Sequence, residues 1–112
     1  MSGAVPALGA LNLPVALQVP TLAQTPSGGQ ARTWVTVSTI WIRLEAQEGL
    51  EVVEPGLPPR RRDRALVVAR DHPAIRRGVQ LSVAGEPAWR VLSVRRRDPA
   101  AGYLALSVER EA

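Results

Sequence analysis

Residues 33–45 read TWVTVSTIWIRLE, and this stretch says more about the fold than any other in the chain. β-Branched and aromatic side chains dominate it and neither Gly nor Pro interrupts it, which is the composition of a strand. Its alternation changes phase partway. Val35 and Val37 share one face, whereas Ile40, Ile42 and Leu44 share the other. Side chains on a strand repeat every two residues, so a one-residue change of phase requires a bulge or sharp bend, here near Ser38–Ile40. Bends of this kind let one strand serve two sides of a small barrel. Trp34 and Trp41 flank the phase change, and each is expected to close one end of the core.

On the N-terminal side, TPSGGQ (25–30) reads as a turn. Before it, Leu13, Val15, Leu17 and Val19 alternate with Pro14, Ala16 and Gln18, the pattern of a half-buried strand. Pro14 has no N–H to give a ladder, so this strand should lie at an edge or begin there. Residues 1–12, MSGAVPALGALN, are small and uncharged and read as a loose arm.

On the C-terminal side, AQEGLEVVEPGLPPRRRD (46–63) carries Glu48, Glu51 and Glu54, then a proline cluster, then Arg60, Arg61 and Arg62. The prolines and the charge reversal predict a long exposed loop between the second and third main strands. The three-residue spacing of the glutamates would put them on one side of a short helical turn. Strand patterns resume with RALVVAR (64–70), which ends at Asp71-His72-Pro73. VQLSV (79–83), AWRVLSVR (88–95) and YLALSVER (103–110) follow as an antiparallel meander, joined by AGEP (84–87) and by a turn around Asp98-Pro99. Trp89, Leu104 and Leu106 fall on its core-facing side. The expectation is an all-β fold: a small antiparallel barrel of six or seven short strands, forming a single domain over residues 13–112.

Composition narrows the chemistry. Of 112 residues, 46% are hydrophobic and 21% charged, a balance that supports a buried core in one domain. Ten prolines and nine glycines favour short strands and turns over long helices. Cysteine is absent, which removes disulfides and thiolate-ligated zinc, and the single histidine, His72, precedes a proline in a turn. No serine sits in a nucleophile elbow, and without lysine no Walker motif can exist. No acidic pair is bracketed by the apolar burial that tunes a catalytic carboxylate. Neither enzymatic activity nor a cofactor or metal is expected. No segment is long and apolar enough to span a membrane. Met1–Leu17 lacks a basic n-region, and Pro6 and Pro14 interrupt it, so a soluble protein made in the cytoplasm is expected.

The formal charge is +4, and all fourteen basic residues are arginine. Codon bias toward GC-rich triplets accounts for this without function. Selection for bidentate contact with carboxylates or phosphates is the functional alternative. The arginines cluster at Arg60–Arg62, at Arg76 and Arg77, and at Arg95, Arg96 and Arg97, all at strand ends or loops. Such clusters can keep strand edges soluble, pair with the Glu48–Glu54 stretch of a neighbouring copy, or touch a DNA backbone without reading bases. Aromatic residues are only 4% and phenylalanine is absent, so no stacking platform for single strands is present.

Two segments resemble the small phage head–tail joining or head-closure proteins, also called stoppers, which have relatives in gene transfer agents. The first is GGQARTWVTVSTIWIRLE (28–45), similar to that family's Gly-rich loop and following Thr-Trp strand. The second is GVQLSVAGEPAWRVLSVRRRDPAAGYLALSVERE (78–111), similar to its C-terminal meander with a Gly turn, an aromatic strand, an Asp-Pro turn and a final Tyr-Leu strand. The chain departs from the family at LPVALQVP (13–20), where basic residues are usual, and at the middle segment, which is shorter here. The resemblance implies a ring of twelve copies in the neck of a virion, between a portal or adaptor ring above and a tail terminator or tail proteins below. It implies that residues 46–62 point into the channel and that Glu48, Glu51, Glu54, Arg60, Arg61 and Arg62 meet packaged double-stranded DNA or neighbouring subunits. Arg76, Arg77, Arg95, Arg96 and Arg97 are the candidate subunit interface. A tail component of the same particle, or a lone SH3- or OB-like adaptor that binds nucleic acid or protein, are the alternatives.

Overall fold

The computed structural model describes residues 11–98 and 102–111. It contains six strands: β1 (Leu13–Gln24), β2 (Gln30–Val52), β3 (Arg60–Arg70), β4 (Gln80–Ser82), β5 (Trp89–Asp98) and β6 (Tyr103–Glu111). All pair antiparallel with their neighbours and close into a barrel in the order β1-β2-β3-β6-β5-β4. The all-β barrel expected from the alternation is the observed fold. Residues 1–10 of the N-terminal arm, and 99–101 of the turn around Asp98-Pro99, lie outside the described residues.

The phase change in β2 is a bulge. Leu17 faces Ser38 and Gln18 faces Thr36, which leaves Val37 unopposed, just before the expected span. Before the bulge, Val35 shares a face with its partner Val19. After it, Ile40 and Ile42 share that same face with Val15 and Leu13. A second bulge follows at Glu45, because Leu44 faces Val67 and Ala46 faces Leu66. β2 therefore pairs with β1 over its first half and with β3 over its second, and Ile42 belongs to both ladders.

Both hairpins run past the barrel as two-sided ribbons. The β1–β2 ribbon reaches a turn at 25–29, closed by Thr25 N–H to the Gly29 carbonyl at 2.8 Å. The β2–β3 ribbon corrects the expectation of a loop at 46–63. Those residues are largely exposed, yet Ala46–Val52 pair in register with Arg60–Leu66, and only 53–59 form the turn. Charge at both faces signals solvent, which a ribbon wet on both sides tolerates while keeping every ladder bond. The breakers Pro55, Pro58 and Pro59 are confined to the tip. Gly28 (φ 87°) and Gly56 (φ 79°) supply the left-handed residue at the two turns. Strand geometry also rejects the helical grouping of the glutamates, since residues three apart on a strand point to opposite faces.

The core joins Val15 and Leu17 of β1, Ile42 of β2, Val67 and Ala69 of β3, Leu81 of β4, Trp89 and Val91 of β5, and Leu104, Leu106 and Val108 of β6. Ile75 and Val79, from the β3–β4 connection, pack into it as well. There His72 Nδ1 accepts the Ala74 N–H at 3.0 Å, which shapes the turn at Asp71-His72-Pro73. No buried side-chain nitrogen or oxygen among the described residues lacks a hydrogen bond.

The tryptophans divide. Trp89 is 1% exposed and central, whereas Trp41 is 54% exposed and Trp34 is only half-buried, outside the core cluster. The cause is parity. Trp41 sits opposite Pro14 and Trp34 opposite Pro20, each one residue off the inward set, so both face outward. Leu11, expected in a loose arm, is 5% exposed and packs against Val68 and Tyr103 on the outside of the barrel. Trp89→Ala should cost about 3–5 kcal/mol in denaturant unfolding, and Trp41→Ala less than about 1 kcal/mol. Equal losses from the two would mean that β2 is one residue out of register.

Candidate functional site

The β2–β3 ribbon carries most of the sequence candidates. Glu51 lies opposite Arg61, Leu50 opposite Arg62, and Val52 opposite Arg60. At the tip Arg60 pairs with Glu54 at 3.0 Å. Arg62 behaves differently from its neighbours. It reaches across to β6, to Glu109 at 2.7 Å and Glu111 at 3.3 Å, while Arg64 meets the second oxygen of Glu109 at 3.5 Å. Arg62 therefore anchors the base of the ribbon, and Arg60 and Arg61 remain at its outer end. No ion pair is found for Arg61, Glu48 or Glu51 among the described residues.

The other clusters do not join this one. Arg96 pairs with Asp71 at 3.0 Å, just past the opposite end of β3 from Arg60. Arg97 pairs with Glu45, a contact between the bulge of β2 and a register shift in β5, two strands that are not neighbours in the sheet. Arg76 and Arg77 are exposed on the β3–β4 connection, and Arg95 is exposed on β5. Of the residues expected to form one interface, then, Arg96 and Arg97 are held in ion pairs within the chain.

One functional-looking group escapes a search for runs of like residues. Arg110 lays its guanidinium over the Trp89 ring, 4.1 Å from the centroid, and holds Asp63 at 3.6 Å and Glu86 at 3.1 Å. Parity could have found it. Leu104, Leu106, Val108 and Arg110 share one face of β6, as Asp63, Ala65, Val67 and Ala69 share one face of β3. Asp63 and Arg110 oppose each other at the point where both inward faces leave the core. The side chain caps the buried indole with its cation and closes that side of the barrel.

Two surfaces remain. A groove of about 550 Å³ is lined by Leu11, Ile40, Trp41, Arg70, Asp71 and His72. The β1–β2 ribbon is held by uncharged polar groups: the Thr21 and Thr33 hydroxyls meet at 2.6 Å, and Gln18 Nε2 donates to Thr36 Oγ1 at 3.1 Å. Arg32 is its sole charged residue. No group of three or more acidic or histidine side chains able to hold a metal occurs among the described residues. No helix there is long and apolar enough to cross a membrane.

No family model and no curated protein matches the chain. Among solved structures, a chain from the virion of a native gene transfer agent particle is similar, with a TM-score of 0.71 and 22% sequence identity. The alignment covers 91% of this chain and 96% of that one. At this identity the likeness is one of fold, and coverage that high takes in ribbons as well as barrel.

Arg110→Ala should lower stability by about 1–2 kcal/mol, since it bares the Trp89 ring and strands two partly exposed carboxylates. Arg61→Ala should leave the unfolding midpoint unchanged. A neutral Arg110 variant would show that the guanidinium only rests on the barrel.

Proposed function

We infer that this protein is a structural component of a phage-like particle. In this reading copies form a ring in the neck, join the DNA-filled head to the tail, and help close the DNA channel. The observation that carries the reading is the fold shared, over nearly the whole of both chains, with a component of a gene transfer agent virion. Two features of the chain support it. The segments 28–45 and 78–111 resemble those of head-closure proteins, and the β2–β3 ribbon presents Arg60 and Arg61 at the end of a two-stranded support.

The mechanism needs no catalysis. DNA packed in a head is held by contacts with its phosphates, and those require charge at a fixed position with no base readout. The barrel fixes the position and the ribbon supplies the reach. Repeating the ribbon around a ring sets a belt of guanidinium groups about the duplex, and Glu48 and Glu51 are available to arginines of adjacent copies. One face of the ring would meet the portal or adaptor and the other the tail terminator or tail proteins. The protein would be made in the host cytoplasm and work in the virion.

Deleting the gene should yield particles with leaked DNA and no attached tails, read by electron microscopy and by nuclease-protected DNA per particle. Tailed, filled particles from the deletion strain would end the proposal. Sealed, filled heads beside defective free tails would move the protein into the tail. In particles carrying Arg60→Ala with Arg61→Ala, nuclease-protected DNA should fall by about two- to tenfold, more at high salt. The isolated variant should melt as the parent does.

A further inference from the structure

The arginines that open β3 look like a free basic run in the sequence, yet their face of the strand is matched charge for charge. Arg60, Arg62 and Arg64 hold alternate positions and share that face. Glu109 and Glu111 alternate in the same way on β6, and the register sets Glu111 opposite Arg62 and Glu109 opposite Arg64. Opposite charges directly across a ladder attract. Arg62 reaches Glu109 at 2.7 Å and Glu111 at 3.3 Å, Arg64 reaches Glu109 at 3.5 Å, and Arg60 holds Glu54 at 3.0 Å. Each arginine of the row is thus neutralised by a carboxylate of its own chain. Arg61, on the other face, makes no ion pair among the described residues.

These pairs can be displaced. Arg60, Glu54 and Arg64 are exposed, and ion pairs in water are weak. Glu109, with its side chain only 16% exposed, serves both Arg62 and Arg64 and holds longest. A carboxylate on another protein offers these arginines nothing that the tethered Glu109 does not already supply. Duplex DNA does, because it carries one negative charge about every 1.7 Å of its axis and releases condensed counterions when arginines replace them. The row from Arg60 to Arg64 spans about 13 Å at roughly 3.3 Å per residue, so one duplex lays several phosphates along it at once.

We propose that Glu109 and Glu111 form an autoinhibitory cover over Arg62 and Arg64, which a DNA backbone displaces when many copies present the row together. A lone copy then binds DNA poorly. Copies gathered around one duplex bind it well, since each contact raises the effective concentration for the next. This rests on the ring reading above and adds a regulation of its arginine ribbon: the unassembled chain does not engage free DNA.

The test is binding of the purified full-length chain to a short DNA duplex, read by fluorescence anisotropy over a series of salt concentrations. Glu109→Gln with Glu111→Gln keeps the side-chain shapes and removes the charges. It should tighten binding about tenfold and steepen the slope of log K against log salt by about one to two. The gain should vanish in a chain that also carries Arg62→Ala and Arg64→Ala. A gain that persists there comes from net charge alone and overturns the proposal, as does unchanged binding by the glutamine variant. Glu111→Gln alone, at a side chain 60% exposed, keeps the test valid if the double variant unfolds. It should tighten binding about two- to threefold, and only while Arg62 is present. Equal tightening toward polyglutamate would assign the freed arginines to an acidic protein and overturn the choice of DNA. The neck reading is decided separately by the deletion strain. Unchanged binding beside leaking, tailless deletion particles removes the cover and leaves the neck reading. Tightened binding beside normal deletion particles does the reverse.

Discussion

Everything in this structure hangs on one long strand that has to be a partner to two others on opposite edges. β2 is 23 residues long and gives its first half to β1 and its second to β3. A regular strand of that length would carry its inward parity straight through and twist away from the barrel. The bulges at Val37 and Glu45 each insert one residue, so the parity is reset where the strand enters the barrel and again where it leaves. Between them Ile40, Ile42 and Leu44 face inward, and outside them the strand is wet on both faces.

The same arrangement manages the strand edges. Closure removes edges from the barrel itself, but β2 runs on with one edge unpaired on each side of Ile42. Arg43, Glu48 and Glu51 punctuate the later half, which discourages indiscriminate strand addition. The earlier half has Arg32 alone, and its solubility rests on threonine and glutamine. The two ribbons thus differ in how their open edges are kept in solution, one by charge and the other by uncharged polar groups.

How much of this was readable beforehand varies by element. Alternation in 79–83, 88–95 and 103–110 located β4, β5 and β6, and the broken alternation in 33–45 located a bulge to within a few residues. Polarity, however, reports exposure and says nothing about pairing, so the ladder between Ala46–Val52 and Arg60–Leu66 looked like a loop. Flanking the phase change suggests a core position for Trp34 and Trp41, although the parity of Ile40, Ile42 and Leu44 already puts Trp41 on the other side. The arginine runs drew attention by number, yet Arg62, Arg96 and Arg97 are occupied at home with Glu109, Asp71 and Glu45. Arg110, alone in its stretch, proved to be the lid on Trp89. A lone charge on an inward register is a better signal than a run of charges at a strand end.

The two turns at 25–29 and 53–59 are the two ends of β2, and that has a mechanical consequence. A push on one tip is carried along a single covalent backbone to the other, with the barrel gripping the strand midway through ladders on both edges. Antiparallel ladders loaded along the strand share the force over many hydrogen bonds at once instead of opening one at a time.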